Sequence, residues 1–192
     1  NDLGIKGIAE DVKIMCIRTV PNGDERDKDV ANSIYYAVDN GAKVINMSFG
    51  KAYSPYEAAV NKAFEYAASK GVIVVHAAGN DSKDNDSKKS VDIFAPGVAI
   101  HSTVPGNEYD TYNGTSMASP AVAGVVAMLW SYYPDYSAEE IIKIIKKSST
   151  KYKKKMVKIP GGDEEVKFGK LSNSAGVINV YEAIKLAEEM KK

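Results

Sequence analysis

Short apolar runs alternate with amphipathic stretches along the first half of this 192-residue chain. The apolar runs cover residues 12–17, 43–47 and 72–75, and each is short enough to be a strand. The stretches between them, 27–40 and 54–69, carry apolar residues at helical spacing. Near-continuous apolar strands that alternate with amphipathic helices are typical of a parallel sheet covered on both faces, because neither face meets water. The pattern therefore predicts an α/β fold, with a mostly parallel sheet flanked by helices in three layers.

The second half of the chain has a different pattern. A strand is predicted over residues 91–94, and residues 99–102 and 111–112 flank a turn, which predicts a β-hairpin. Ser54 and Ser137 are expected to cap the helices that follow them. Further helices are predicted over residues 116–133, 138–148 and 180–190.

The composition gives no support for a nucleic-acid partner or a membrane partner. Lysine and arginine total 25, as do aspartate and glutamate, so the chain has no net positive charge to attract nucleic acid. The lysine run 151–158 is interpreted as a solvated loop. No apolar run reaches transmembrane length and no N-terminal signal pattern is present, so membrane insertion is not expected. The single cysteine, Cys16, cannot form an internal disulfide and is expected to be buried in its apolar run.

The most informative segment is residues 114–120, Gly-Thr-Ser-Met-Ala-Ser-Pro, where a glycine-containing turn enters a long apolar helix. Ser116 is expected at the helix N-terminus, where unpaired N–H groups and the helix dipole stabilise negative charge. Both would stabilise the oxyanion that forms when a hydroxyl attacks a carbonyl. Pro120 is expected to lie too early in the helix to break its hydrogen-bond ladder. The alternative is that Ser116 simply caps a buried helix, since serine is a common cap.

The full string resembles the nucleophile motif of the subtilisin-like serine peptidases, the subtilases. All seven motif residues are present, and Ala121 stands where the family usually has a histidine that is not catalytic. The resemblance implies a subtilisin-like fold and peptide-bond hydrolysis through an acyl-enzyme formed on Ser116. It also implies that residues 1–192 are the C-terminal portion of a single catalytic domain, incomplete at its N-terminus. The resemblance is strong over residues 1–150 and weaker over 151–192.

Two further segments resemble the family in the family's order. Residues 77–80, Ala-Ala-Gly-Asn, imply that Asn80 donates its side-chain amide to the oxyanion, a role that suits a donor that does not titrate. Residues 44–50 resemble the strand whose end pairs with the substrate backbone. Taken alone, these segments would be a loop asparagine and two core strand ends. The implied substrate-binding residues are Ser48, Phe49, Gly50, Ala77, Ala78 and Gly79.

The chain departs from the family in lacking the motifs that carry the catalytic Asp and His, which lie upstream of the segment that starts here. The only histidines are His76, expected to be packed in a strand, and His101, expected at the surface or cleft edge; neither matches the catalytic position. A serine without a base is a poor nucleophile. We therefore expect an active parent protein in which an upstream segment supplies His and Asp, and little activity from this chain alone.

A second departure is the short connection between Asn80 and Val91. Subtilases carry several tens of residues here, whereas this chain has only residues 81–90, a polar and lysine-rich stretch. The abrupt change in composition favours missing residues over a deletion. In subtilases the segment between these two motifs helps to shape the specificity pocket. The substrate preference therefore does not follow from this sequence.

Two other functional classes share parts of this pattern. In the α/β-hydrolases the nucleophile motif is Gly-x-Ser-x-Gly and the His follows the Ser; here Ala118 replaces the second Gly and no His follows His101. A peptide-binding pseudo-peptidase or regulatory domain without catalysis stays open, although it would need neither Ser116 nor Asn80.

The resemblance implies a polypeptide substrate and no cofactor for the chemistry. It favours an extracytoplasmic location, meaning secreted, periplasmic or at the cell surface, with a cytoplasmic one left open. Calcium is common in the family, and Asn1 falls near a family calcium loop. One candidate ligand does not make a site, because calcium takes six to eight oxygens, so no metal-binding residue is predicted.

Overall fold

The computed structural model describes residues 4–20, 22–50, 54–80, 91–159 and 162–191. The helices are α1 (Asp27–Asp39), α2 (Glu57–Ser69), α3 (Thr115–Tyr132), α4 (Ala138–Ser148) and α5 (Val180–Met190). The strands are β1 (Val44–Met47), β2 (Ile73–His76), β3 (Ile100–Val104), β4 (Glu108–Tyr112), β5 (Thr150–Lys151), β6 (Met156–Lys158), β7 (Glu165–Lys167) and β8 (Gly176–Val177).

The parallel pair β1–β2 lies between two sets of helices. Successive side chains of a strand point to opposite faces. Val44 and Ile73 pack into the apolar cluster formed by α3, α4 and α5, whereas Ile45 and Val74 pack against the cluster of α1 and α2. Both faces of the pair are therefore covered by helices, as the apolar strands predicted.

Parallel pairing in the described residues extends little further. Apart from β1–β2 it is seen only in a single bridge between Phe94 and Val177, and the pairs β3–β4, β5–β8 and β6–β7 are antiparallel. The α/β layering is present, but a mostly parallel sheet is not confirmed by this part of the chain.

The strand predicted over residues 12–17 is not formed. None of the described strands pairs with this segment, and Ile14 is 82% exposed. Cys16 is also exposed, so the expectation that it is buried was wrong. An apolar run is buried only when a neighbouring strand or helix covers it, and the described residues provide no such cover for Ile14 or Cys16.

Helix α2 begins two residues later than predicted, because its start is fixed by another helix. The N-cap is Tyr56, which makes no side-chain capping bond, and not Ser54. The Tyr56 N–H donates to Asp27 Oδ2 at 2.9 Å. A buried carboxylate at the start of α1 therefore takes over the capping role.

The lysine-rich run 151–158 is not a simple loop, as had been expected. Its second half forms β6, which pairs with β7 so that Val157 lies opposite Val166. These two valines are half-buried, whereas the lysines of the run are exposed. The prediction of a solvated surface is confirmed, and the prediction of irregular backbone was wrong for β6 and for Lys151, which ends β5.

Helix α4 begins where the sequence predicted. Ser137 Oγ accepts from the Glu140 N–H at 3.2 Å, and Glu140 Oε2 accepts from the Ser137 N–H at 2.8 Å. This reciprocal capping box satisfies two N–H groups at the helix start. The hydrogen bond from the Ser137 backbone also holds the pKa of Glu140 below its ordinary value.

Replacing Ser137 with Ala should lower the free energy of unfolding by about 1 kcal/mol, because the Glu140 N–H loses its acceptor. Urea denaturation followed by far-UV circular dichroism measures the change. The matched control is Ser131→Ala, which removes an exposed hydroxyl that donates to the Met128 carbonyl inside α3. Equal losses for the two variants would contradict the capping role.

Candidate active site

Ser116 lies in the first turn of α3, where a glycine-to-glycine contact fixes the helix start. The N-cap is Gly114, whose φ of 142° favours glycine. Its N–H donates to the Gly97 carbonyl at 2.7 Å, and a Cβ on Gly97 would lie 2.7 Å from the Gly114 carbonyl oxygen. Only a residue without a side chain lets the two backbones approach this closely.

Two hydrogen bonds join Ser116 to the end of β1. The Ser116 hydroxyl donates to the Ser48 carbonyl at 3.0 Å, and the Ser48 hydroxyl donates to the Ser116 carbonyl at 2.8 Å. Both serines are half-buried. The pair of bonds holds the start of α3 against the residue that follows β1.

Asn80 lies beside the N-terminus of α3, four residues after the end of β2. Its Oδ1 accepts from the Thr115 N–H at 3.0 Å and lies 3.3 Å from the Thr115 hydroxyl, which is also 3.2 Å from the Gly79 carbonyl. With Oδ1 held by the helix, the Nδ2 of Asn80 remains as the donor of this side chain. The amide nitrogen and the helix N-terminus thus lie side by side, and both favour a developing negative charge.

The two predicted substrate-binding segments lie next to each other because β1 and β2 are parallel. Met47 pairs with His76, and the Ala77 N–H continues the ladder by donating to the Met47 carbonyl at 3.0 Å. The carboxyl ends of both strands therefore meet at one edge, where residues 48–50 and 77–80 flank the start of α3. This is the edge at which open α/β sheets bind ligands.

The side chains of the predicted substrate-binding residues differ in how they can contribute. Ala77 is buried, and Ala78 and Gly79 are exposed. The Phe49 side chain packs against the cluster of α1 and α2, so only its backbone faces the strand edge. Gly50 lies against the ring of His76, where a Cβ would come within 3.4 Å of the ring Cε1.

Neither histidine makes a described contact with Ser116. His76 is the last residue of β2, as expected, but its side chain is exposed at the strand end and not packed. Partial desolvation of the ring lowers its pKa, although backbone groups of Ala77 and Phe49 and the charge of Glu25 act in the opposite direction. His101 lies on the exposed hairpin, 3.1 Å from the Thr111 hydroxyl. Within the described ranges, the Ser116 hydroxyl is hydrogen bonded to a carbonyl and not to a base.

Two residues of this site were not predicted from the sequence. Asn46 in β1 and Ser119 in α3 are hydrogen bonded to each other at 2.7 Å, just beneath the Ser48–Ser116 contact. The available signal was an asparagine within an otherwise apolar strand, a position that disfavours amides.

Metal-binding clusters and membrane-spanning helices are both absent from the described part of the chain. It contains no group of three or more His, Cys, Asp or Glu side chains that could hold a metal ion. None of its helices combines the length and apolarity needed to cross a bilayer. Asn1 and residues 81–90, on which two sequence predictions rest, lie outside the described residues.

A serine at a helix N-terminus with an amide side chain beside it is an arrangement that serine hydrolases use to place a nucleophile next to an oxyanion site. The model of the subtilase family matches residues 1–91 and 82–169, and the chain belongs to that family. The two matched stretches overlap in the segment 82–91, where the sequence showed its short connection.

The chain is also similar in sequence to known serine proteinases. The chain is 37% identical over 158 residues to the thermophilic serine proteinase of Bacillus sp. (strain AK1), covering 68% of this chain and 39% of that protein. It is 39% identical over 158 residues to thermitase of Thermoactinomyces vulgaris, covering 68% of this chain and 56% of that protein. The chain therefore spans about half the length of these relatives.

Solved structures show the same fold. A protease from Pseudoalteromonas arctica superposes with a TM-score of 0.74 at 24% identity, covering 94% of this chain and 65% of that one. The patellamide maturation protease PatA gives a TM-score of 0.70 at 22% identity, covering 88% and 71%. The predicted subtilisin-like α/β fold is confirmed.

The lowered pKa of His76 should make stability depend on pH. The unfolded chain has an ordinary histidine with a pKa of about 6.5 and binds the proton more tightly than the folded chain. The stability is therefore fully present above that value and is lost as the pH falls through the folded pKa. Urea unfolding measured from about pH 7.5 to about 5.5 should show this slope.

The variant His76→Gln should flatten the slope, because it removes the group whose pKa differs between the two states. His101→Gln, which changes the exposed histidine of the hairpin, is the matched control and should retain the slope. A slope that survives in His76→Gln would assign it to other groups.

Proposed function

We propose that this chain supplies the nucleophile and the oxyanion site of a subtilisin-like serine endopeptidase. The observation that carries the proposal is the convergence of the Ser116 hydroxyl, the N-terminus of α3 and the Asn80 amide at the carboxyl edge of β1–β2. Residues 1–192 form, on this proposal, the C-terminal portion of one catalytic domain.

In the proposed reaction, Ser116 Oγ attacks the carbonyl carbon of the scissile peptide bond. Asn80 Nδ2 and the N–H groups of the first turn of α3 then stabilise the oxyanion. The amide nitrogen leaves with a proton, and water hydrolyses the acyl-enzyme on Ser116. In the structure the hydroxyl proton points to the Ser48 carbonyl, so a base must take it from that position.

We assign that base, and the acid that orients it, to an upstream segment carrying the family's His and Asp. Without them the oxyanion site alone would give roughly 10³–10⁴-fold acceleration over water, far below a complete triad. This chain by itself should therefore turn over very slowly.

The strand edge suits an extended polypeptide substrate. A peptide can add beside residues 48–50 through main-chain hydrogen bonds, as other domains that bind extended peptides do. Ala77, Ala78 and Gly79 would wall the pocket for the side chain that precedes the scissile bond. We expect the parent protein outside the cytoplasm, and neither a cofactor nor a metal is required for this chemistry.

A second candidate is a peptide-binding regulatory domain without catalysis. It is favoured by one observation, that the Ser116 hydroxyl is hydrogen bonded to a carbonyl instead of a base within the described residues. The two functions separate on whether Ser116 reacts in the parent protein.

In the parent protein, a fluorophosphonate should label Ser116, and Ser116→Ala should abolish the labelling. The phosphonate reports the activated hydroxyl directly, because the Oγ–P bond forms only when a base removes the proton. Peptide mapping by mass spectrometry locates the adduct. Ser131→Ala, in the same helix, is the control and should be labelled normally. A folded parent that is not labelled at Ser116 would support the binding domain instead.

Replacing Asn80 with Ala should lower kcat by about 10²–10³-fold and change KM little, because the lost donor acts on the transition state. Steady-state hydrolysis of a chromogenic peptide substrate measures both constants. An Asn80→Ala variant that raises KM at constant kcat would place Asn80 in substrate binding and not in the oxyanion site.

A further inference from the structure

A chain of hydrogen bonds runs beneath the nucleophile from α3 to β1 and back. Ser119, which is only 4% exposed, donates through its hydroxyl to Asn46 Oδ1 at 2.7 Å. Asn46 Nδ2 donates to Ser48 Oγ at 3.1 Å, and Ser48 Oγ donates to the Ser116 carbonyl at 2.8 Å. The Ser119 hydroxyl also lies 3.4 Å from the Val75 carbonyl, but its shorter bond is to Asn46. The bonds run in one direction, so the bond from Asn46 orients the Ser48 hydroxyl.

The final bond of this network replaces one that α3 cannot make. In an α-helix the carbonyl of residue i accepts from the N–H of residue i+4. For Ser116 that residue is Pro120, which lies inside α3 and has no N–H. The helix continues through Pro120, but its ladder loses the bond to Ser116, so the expectation that Pro120 lies too early to break the ladder was wrong. The Ser48 hydroxyl supplies the missing donor.

Asn46 determines where the Ser48 hydroxyl points. Because Asn46 Nδ2 occupies one lone pair of Ser48 Oγ, the Ser48 proton is left for the Ser116 carbonyl. Asn46 is itself exposed, so packing does not require this residue in β1. Its anchor is the buried Ser119 hydroxyl, one residue before Pro120.

We propose that Asn46 and Ser119 are positioning residues for the nucleophile. They orient the Ser48 hydroxyl, which donates to the Ser116 carbonyl and so holds the backbone of the nucleophile. This is the carbonyl that Pro120 leaves without a helical donor. This inference rests on the proposed peptidase function of Ser116. Loss of the network leaves the substrate-binding strand ends in place but lets the nucleophile shift, and small displacements of a reacting group slow chemistry strongly.

The test uses the parent protein and a chromogenic peptide substrate. Asn46→Ala should lower kcat about tenfold with KM within about twofold, and Ser119→Ala should lower kcat about threefold, because it removes only the anchor. Ser131→Ala, in the same helix but outside the site, should leave both constants unchanged. An unchanged kcat in a folded Asn46→Ala protein would overturn the proposal.

The decisive comparison restores the missing helical donor. Pro120→Ala returns an N–H to the Ser116 carbonyl. The ratio by which Asn46→Ala lowers kcat should therefore be closer to one in the Pro120→Ala background than in the protein with Pro120. A residue with only a general structural role would give the same ratio in both backgrounds. Equal ratios overturn the proposal. If Asn46→Ala does not fold, Ser48→Ala replaces it in the same cycle.

A measurement that needs no catalytic activity distinguishes a failure of the proposed peptidase function from a failure of the hydrogen-bond network. In this chain, the carbonyl ¹³C resonance of Ser116 reports whether the oxygen has a hydrogen-bond donor. Asn46→Ala should shift this resonance and Ser131→Ala should not. A shift in this chain, together with a parent protein in which Ser116 does not react, would overturn the peptidase function while supporting the network. No shift would overturn the network itself.

Discussion

The parallel pairing of β1 with β2 determines where every candidate catalytic group lies. Because the strands run in the same direction, their carboxyl ends deliver residues 48–50 and 77–80 to one edge. Helix α3 packs on the same pair through the apolar cluster that includes Val44 and Ile73, which brings its N-terminus to that edge. The proximity of Ser116 and Asn80 therefore follows from strand direction and helix packing.

Among the described residues, the side chains hydrogen bonded at the nucleophile side of the site are neutral. Ser116, Ser48, Asn46 and Ser119 form one network, Thr115 and Asn80 form a second, and the helix N-terminus contributes partial charges. Such groups do not change charge between acidic and alkaline conditions. On the proposed function, the protonation state that governs activity belongs mainly to the upstream segment that carries the base.

Local signals predicted the elements whose causes are local. The capping box at Ser137, the turn between β3 and β4 and the apolar spacing of α5 each lie within a few residues, and each element formed as expected. The start of α2 was missed because its cap, Asp27, comes from another helix. Residues 12–17 were wrongly predicted as a strand, because composition shows that a run is apolar without showing what covers it.

The same distinction applies to the site. Ser116 and Asn80 could be proposed from motifs, and the structure brings them together at one helix start. The role of Asn46 could not be proposed, because it depends on a contact between residues that are 73 positions apart in the chain. The proposed role of Asn46 also depends on Pro120, because the missing N–H of Pro120 can be assigned to the Ser116 carbonyl only once the register of α3 is known.

The contact between Gly97 and Gly114 has an evolutionary consequence. Gly97 is needed because of the position of Gly114, whose carbonyl fills the space that a side chain on Gly97 would occupy, whereas Gly114 is favoured by its own φ of 142°. No single substitution at position 97 can be accommodated without moving the backbone that begins α3. The loop before β3 and the helix that carries Ser116 are therefore expected to diverge together among descendants of this sequence, as one inherited unit.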